Sequence, residues 1–271
     1  MDPLEYIRLG LEQIKKDIDS SPYEEDDMRR EFLCLTFDVL NNYYVGGSFL
    51  ALAGFLPTGN VTFNEEIDRI NEHLKRLTEI GIYPTLTASY RNNINRSVIV
   101  DTWSVFEFCI TIISLHVLEE SEQEELKLEQ YQKIVDSLKG TTIPDKSSDK
   151  LKKQFSTDHL SHVSINRKCD KLFKKTGEKY QRDLIADRQF LTFFGKYRNS
   201  MHSNYIYYGK GFEFDFKGVK FRFINNETVT HNQFDITYHF DLAIELKDIF
   251  KELTTKLDFI NKIPYPIEDA P

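Results

Sequence analysis

Arg198, Asn199 and His202, in the run Tyr197-Arg-Asn-Ser-Met-His-Ser-Asn204, bring together a permanent cation, an amide and a titratable imidazole. Four residues of α-helix turn through roughly 400° and rise by about 6 Å, so Arg198 and His202 project from one face a single turn apart. One anion could touch both. A guanidinium forks onto phosphate oxygens in a bidentate way, and imidazole is the side chain whose ordinary pKa lies near neutrality, so the pair suits charge stabilisation and proton transfer at a phosphodiester.

The flanking residues say which face this is. Leu184, Leu191 and Phe194 continue at three- and four-residue spacing into Arg198 and His202, while Phe190, Tyr197 and Met201 form the neighbouring stripe. The polar pair therefore extends or borders an apolar stripe. A buried, unpaired guanidinium is costly, so Arg198 is expected to meet an acidic partner, a subunit interface or a phosphate-bearing ligand. A core carboxylate holding Arg198, with His202 merely hydrogen-bonding nearby, accounts for the same spacing. An earlier apolar segment, Ser97 to Leu115, carries Trp103, Phe106 and, at its centre, the carboxylate Glu107. A buried carboxylate needs a partner, so Glu107 is expected to bond Arg198, holding the guanidinium in place, or another core donor.

With these two segments the chain resembles the HEPN superfamily of helical proteins over roughly residues 86 to 260. That family carries an Arg, usually followed by a polar residue such as Asn, and then a His late in the domain, with an aromatic residue and a Glu in an earlier apolar helix. Three residues separate Arg198 from His202, where the family usually has a longer spacer; three still keeps both on one helical face. The resemblance implies a metal-independent endoribonuclease in which two protomers face their motifs into one composite site. Arg198, Asn199 and His202 would be catalytic: His202 moving a proton at the ribose 2′-hydroxyl or the leaving oxygen, Arg198 stabilising charge on the scissile phosphate, Asn199 positioning one of them. The products would be a 2′,3′-cyclic phosphate and a 5′-hydroxyl, and the setting a toxin or antiviral defence system. Non-cutting members of the superfamily are the alternative: a HEPN-like module for RNA binding, protein binding or dimerisation. In a third reading the protein is a helical structural subunit and the two residues only tie helices together. The implied partners are RNA, a second copy of the chain and a cognate antitoxin or regulatory protein, with no cofactor, no metal and no membrane.

Composition bounds these readings. The 271 residues are 40% hydrophobic and 13% aromatic, with 12 Gly and 8 Pro, enough for a sizeable core. Net charge is −8, which opposes indiscriminate nucleic-acid binding. Residues 146–182 nevertheless hold eleven Lys and Arg against four Asp and Glu. Lys168, Lys171, Lys174, Lys175 and Arg182 in this segment are the expected RNA contacts, although a solvated basic helix face would read the same. Cys34, Cys109 and Cys169 read as free thiols in a reducing compartment. The start Met1-Asp-Pro-Leu-Glu resembles no signal peptide, so the expected location is cytoplasmic. The run Ser97–Leu118 has the length of a membrane span, but Asp101 and Glu107 interrupt it, and a mid-span charge costs about 3 kcal/mol. It is read as a core helix.

The expected fold is mainly α: an antiparallel helical bundle with a β-hairpin inserted between the motif helix and the final helix. Residues 1–85 are expected to form an N-terminal helical extension packed on the core, 86–262 the HEPN-like domain, and 263–271 a tail. Helices are expected over 4–18, 24–56, 64–80, 86–118, 125–140, 158–175, 180–203 and 234–260, with a loop over 141–157. Gly46-Gly47 marks a kink or a close helix contact. Between Gly211 and Ile224 the apolar residues alternate, and a two-residue turn at Lys217-Gly218 sets Phe216 opposite Val219, Phe214 opposite Phe221 and Phe212 opposite Phe223. The aromatic face of that hairpin is expected to cover the helices beside Arg198 and His202, or a partner subunit. His159 and His162 fit no standard zinc spacing.

Overall fold

A computed structural model describes residues 2–55, 76, 83–137, 160, 163–232, 236–257 and 262–266. The expected helix at 64–80 except Arg76, the loop at 141–157, His159 and His162 lie outside them. The described chain is mostly helical with a small antiparallel sheet. In order it forms α1 (Pro3–Asp19), α2 (Met28–Phe55), α3 (Tyr83–Val117), α4 (Glu120–Ser137), α5 (Ile165–Thr176), a 3-10 turn (Gly177–Lys179) and α6 (Leu184–His202). There follow β1 (Ile206–Tyr207), β2 (Phe212–Phe216), β3 (Val219–Phe223), β4 (Glu227–Thr228), β5 (Thr230–His231) and α7 (Thr237–Thr255).

Starts and stops follow local chemistry. Asp2 accepts from the amides of Leu4 and Glu5 at 2.9 and 3.1 Å, capping α1. Asp183 does the same for α6 through Ile185 and Ala186 at 2.9 and 3.0 Å. The α6 helix ends where Asn204 and Tyr205 adopt φ of 54° and 65°. Asn tolerates this left-handed region, but a Tyr there is strained by about 1 kcal/mol and needs its surroundings to hold it.

The chain divides into two compact units, each made of three separated segments: residues 1–21, 33–103 and 193–245, and residues 22–32, 104–192 and 246–271. The sequence expectation drew a linear boundary at residue 85. Helices α2, α3, α6 and α7 each contribute one stretch to either unit.

In the first unit Ile7, Leu11 and Ile14 of α1 are buried, as are Leu40, Ile99, Trp103, Phe194, Phe240 and Leu242. Gly46 makes a close helix contact: a Cβ there would stand 2.7 Å from Ile94 Cδ1. The β2–β3 hairpin pairs Phe212 with Phe223, Phe214 with Phe221 and Phe216 with Val219. Its turn residues Lys217 and Gly218 have φ of 50° and 83°, the two positive values that match the right-handed twist of a hairpin. β5 pairs with β3, and β1 with β4.

In the second unit Phe32 stacks on Phe250 at 3.6 Å with Phe106 edge-on to both. The start of α2 is tied to a distant segment: Met28 donates its amide to the Ile263 carbonyl at 2.8 Å, and Ile263 donates to Asp27 at 3.3 Å. Residues Thr87–Val117 of α3 are long and apolar enough to cross a membrane, and more than half of the most apolar window is buried inside the protein. Cys34, Cys109 and Cys169 are free, and burial pushes the latter two thiols upward in pKa.

Candidate functional site

The motif lies in the first unit, on the last turns of α6. Phe193, Phe194, Tyr197 and Met201 are buried, Arg198 is half-buried, and Asn199 and His202 are exposed. The polar pair thus borders the apolar stripe rather than replacing it. The hairpin holds this end of α6 in register: Phe214 stacks on Phe193 at 4.2 Å, while Phe221 packs against Phe193 and Tyr197 at 4.8 and 5.2 Å. On another side Trp103 stacks on Phe194 at 5.4 Å, and its ring would stand 3.2 Å from a Cβ on Gly195. Only glycine admits the indole that closely without displacing it.

Arg198 donates through Nη1 to the side-chain oxygen of Asn199 at 3.0 Å. Its Nε is enclosed and has no hydrogen-bond partner among the described residues. Among the described residues Arg198 makes no ion pair. Leaving such a donor unsatisfied costs about 1–3 kcal/mol, more for a charged group. His202 makes no hydrogen bond among the described residues. The chain just beyond is firmly held: the Val229 amide donates to the Tyr205 carbonyl at 2.8 Å, and the Tyr205 hydroxyl donates to the Asn92 carbonyl at 3.4 Å.

Glu107 falls in the second unit, and the charge it acts on there belongs to Lys168. No carboxylate among the described residues orients Arg198. The expected RNA contacts also need revision. Lys168 is fully buried and its amine donates to Thr111 Oγ1 at 2.7 Å. Burial pulls its pKa down to about 8, opposed by Glu107. Lys171 and Lys175 are spent on ion pairs with Glu125 and Glu122, the second at 2.8 Å, and Arg167 approaches Glu129 at 4.0 Å. Arg182 forks onto Asp187 at 2.9 Å through both Nε and Nη2. Lys174 is exposed and makes no ion pair among the described residues. The described part of the basic segment, residues 163–182, is therefore largely neutralised within its own unit. The signal was present in the spacing: Glu122, Glu125 and Glu129 recur at three and four residues and Arg167, Lys171 and Lys175 at four and four, in the opposite chain order.

A buried polar cluster behind the motif has no counterpart in the motif reading. The Tyr197 hydroxyl is 3.5 Å from His239 Nε2, and the Tyr238 hydroxyl 2.8 Å from His231 Nε2. Tyr43 lies edge-on to His239 at 6.4 Å and bonds the Ile236 carbonyl and Asn95 at 2.9 and 3.1 Å. Burial, with a contribution from His231, holds the His239 imidazole well below its usual pKa range, and its Nδ1 has no partner. This cluster anchors Tyr197, the residue before Arg198. Among the described residues no group of three or more His, Cys, Asp or Glu could hold a metal ion. The chain matches no family model, no curated protein and no solved structure.

Proposed function

We propose that the protein is a metal-independent endoribonuclease of HEPN type, working in the cytoplasm as a homodimer on single-stranded or looped RNA, as a toxin or antiviral defence effector. One observation carries the reading furthest. Arg198 is a half-buried guanidinium with an enclosed, unpartnered Nε and no carboxylate among the described residues. Of the three partners such a cation calls for, no acid stands beside it among the described residues, which favours a ligand phosphate or a second subunit.

In this mechanism Arg198 forks onto the non-bridging oxygens of the scissile phosphate, where charge grows in the transition state. Asn199 holds the guanidinium by the 3.0 Å bond. His202 removes the proton of the ribose 2′-hydroxyl; the oxygen attacks phosphorus, the bond to the 5′-oxygen breaks, and that oxygen gains a proton as it leaves. The ends are a 2′,3′-cyclic phosphate and a 5′-hydroxyl. Recombinant protein should cut RNA in EDTA and leave these ends. Arg198→Ala or His202→Ala should abolish cutting while melting temperature holds. Undiminished cutting by the double variant rejects the reading.

The second reading is a non-catalytic HEPN-like module that binds RNA, a protein partner such as an antitoxin, or its own copy. What favours it is His202, which is exposed and oriented by no hydrogen bond among the described residues. RNA or partner binding without cleavage at any pH would support it over the enzyme.

A further inference from the structure

The site has a second wall. Trp103 meets Gly195, and eleven residues earlier on α3 the Asn92 carbonyl meets Tyr205, ten residues later than Gly195. Moving toward the start of α3 therefore tracks toward the end of α6, so these stretches run antiparallel. At 1.5 Å rise per residue, a position on α3 and its neighbour on α6 can be matched by counting from the Trp103–Gly195 contact. Seven residues before Trp103 is Arg96; seven after Gly195 is His202. The other contact agrees in direction: Arg96 is one turn after Asn92, and His202, the last residue of α6, lies just before the turn that carries Tyr205. Trp103, Ile99, Arg96 and Asn92 recur at four, three and four residues, the spacing of one helical face. Ile99 is buried on that face, and Arg96 is half-buried.

Two further observations concern charge. Arg96 is close enough to act electrostatically on the Tyr205 hydroxyl, whose pKa burial raises and Arg96 lowers. Arg96, like Arg198, makes no ion pair among the described residues. Residues 83–100 contain Arg91 and Arg96 and no Asp or Glu, and residues 193–212 contain Lys196, Arg198 and Lys210 and no Asp or Glu. In a chain of net charge −8, acid is kept out of both strips that meet here. Cations gathered without counter-charges raise the local positive potential and draw in a polyanion. Asn92 and Asn199, both exposed, add amides on either side.

From this juxtaposition of facing helices we propose that Arg96 is the second phosphate-binding guanidinium of the site, seating a backbone phosphate of the same RNA strand whose neighbouring phosphate lies between Arg198 and His202. A single protomer thus grips single-stranded RNA across α3 and α6. The proposal rests on the RNA reading above and extends it to a residue outside the motif.

The test separates the two. A short single-stranded oligoribonucleotide with 2′-O-methyl groups throughout cannot be cut by attack of its own 2′-oxygen, so its binding can be titrated by fluorescence anisotropy at several salt concentrations. Arg96→Gln should weaken binding about 10-fold, the loss of one charge-assisted contact. It should also lower the slope of log affinity against log salt by about 0.7. Arg96→Lys should keep the slope, Lys15→Gln at an exposed position of α1 should change neither, and all should melt with the native chain. Unchanged affinity and slope in Arg96→Gln overturn the proposal, even if unmodified RNA is cut. Loss of both in Arg96→Gln upholds it, even if unmodified RNA is not cut and the nuclease reading falls. A native protein that does not bind the oligonucleotide overturns both.

Discussion

The indole of Trp103 lies where a side chain on Gly195 would go, 3.2 Å from the Cβ position, so α3 and α6 approach almost backbone to ring one turn before Arg198. That contact sets the spacing of α3 and α6 here. Gly195→Ala gains helix propensity of about 1 kcal/mol, which a contact this tight consumes, so the substitution should leave stability nearly unchanged. Gly195→Leu should cost about 1–3 kcal/mol by overpacking and part the helices. Urea unfolding of the two variants checks this; equal stability of both would show that the indole yields freely.

Lys168 is buried at 0% exposure with a pKa pulled down to about 8. In the unfolded chain it titrates near 10.5. Between these values the unfolded state binds the more protons, so stability rises with pH across about 8 to 10.5, and below 8 the full cost of the buried charge is present. Lys168→Met should therefore stabilise the protein near neutral pH, on the order of 1–3 kcal/mol. Its advantage should shrink as pH climbs past 8. Thermal melts of both proteins over that range give the answer.

His239 makes the same kind of demand at lower pH. Its folded pKa lies well below 6.5, so below about pH 6.5 the unfolded chain takes up a proton that the folded chain refuses. The sign is definite: stability is full above that pH and falls as acid is added. The groups facing it are Tyr43, Tyr197, Tyr238 and His231, none of them a carboxylate that could welcome the charge. The urea midpoint should drop between about pH 7.5 and 5, a range over which carboxylates of ordinary or lowered pKa remain largely ionised. His239→Phe should flatten that dependence.

How far these features could be read in advance depended on how local their physics is. The hairpin register was legible because alternation over Phe212–Phe223 and a two-residue turn leave few ways to pair the strands, and the observed pairs follow it. The face of α6 was legible to within one stripe: Tyr197 and Met201 point inward and His202 outward. Charge was not. Counting Lys and Arg over residues 146–182 took Lys171 and Lys175 as free, because their partners Glu125 and Glu122 lie on another helix. Which of its allowed donors Glu107 would serve was not legible for the same reason, since helical periodicity places it on a face but does not say which element covers that face; the charge it acts on belongs to Lys168. Arg96 went unremarked because its significance arises only from the meeting of Asn92 with Tyr205, 113 residues apart.

The paired charges of α4 and α5 predict a modest effect with a clear signature. Glu125→Lys should lose the Lys171 pair and add a like charge, lowering stability by about 0.2–1 kcal/mol as expected for half-exposed pairs. Glu125→Lys combined with Lys171→Glu should recover most of it. The deficit should fade at high salt. A double-mutant cycle in chemical denaturation at two ionic strengths measures it, and no recovery in the double variant would mean the two side chains are not coupled in solution.

Asn199 decides what Arg198 is for. It is exposed, and its side-chain oxygen is the acceptor that the guanidinium has among the described residues. Asn199→Asp replaces that oxygen with a carboxylate, giving Arg198 the fixed counter-charge it lacks. If Arg198 serves only to tie helices together, the new ion pair should raise stability by up to about 1 kcal/mol and alter nothing else. If Arg198 receives a phosphate, the carboxylate both occupies the guanidinium and repels the incoming anion. RNA cleavage should then fall on the order of 100-fold in kcat/KM, the scale of a misplaced catalytic group. Asn199→Ala, which loses the tether but adds no charge, should fall less than Asn199→Asp. That ordering, measured on one RNA substrate at fixed salt, distinguishes electrostatic capture of Arg198 from loss of its positioning, because positioning alone would make Asn199→Ala the worse of the two.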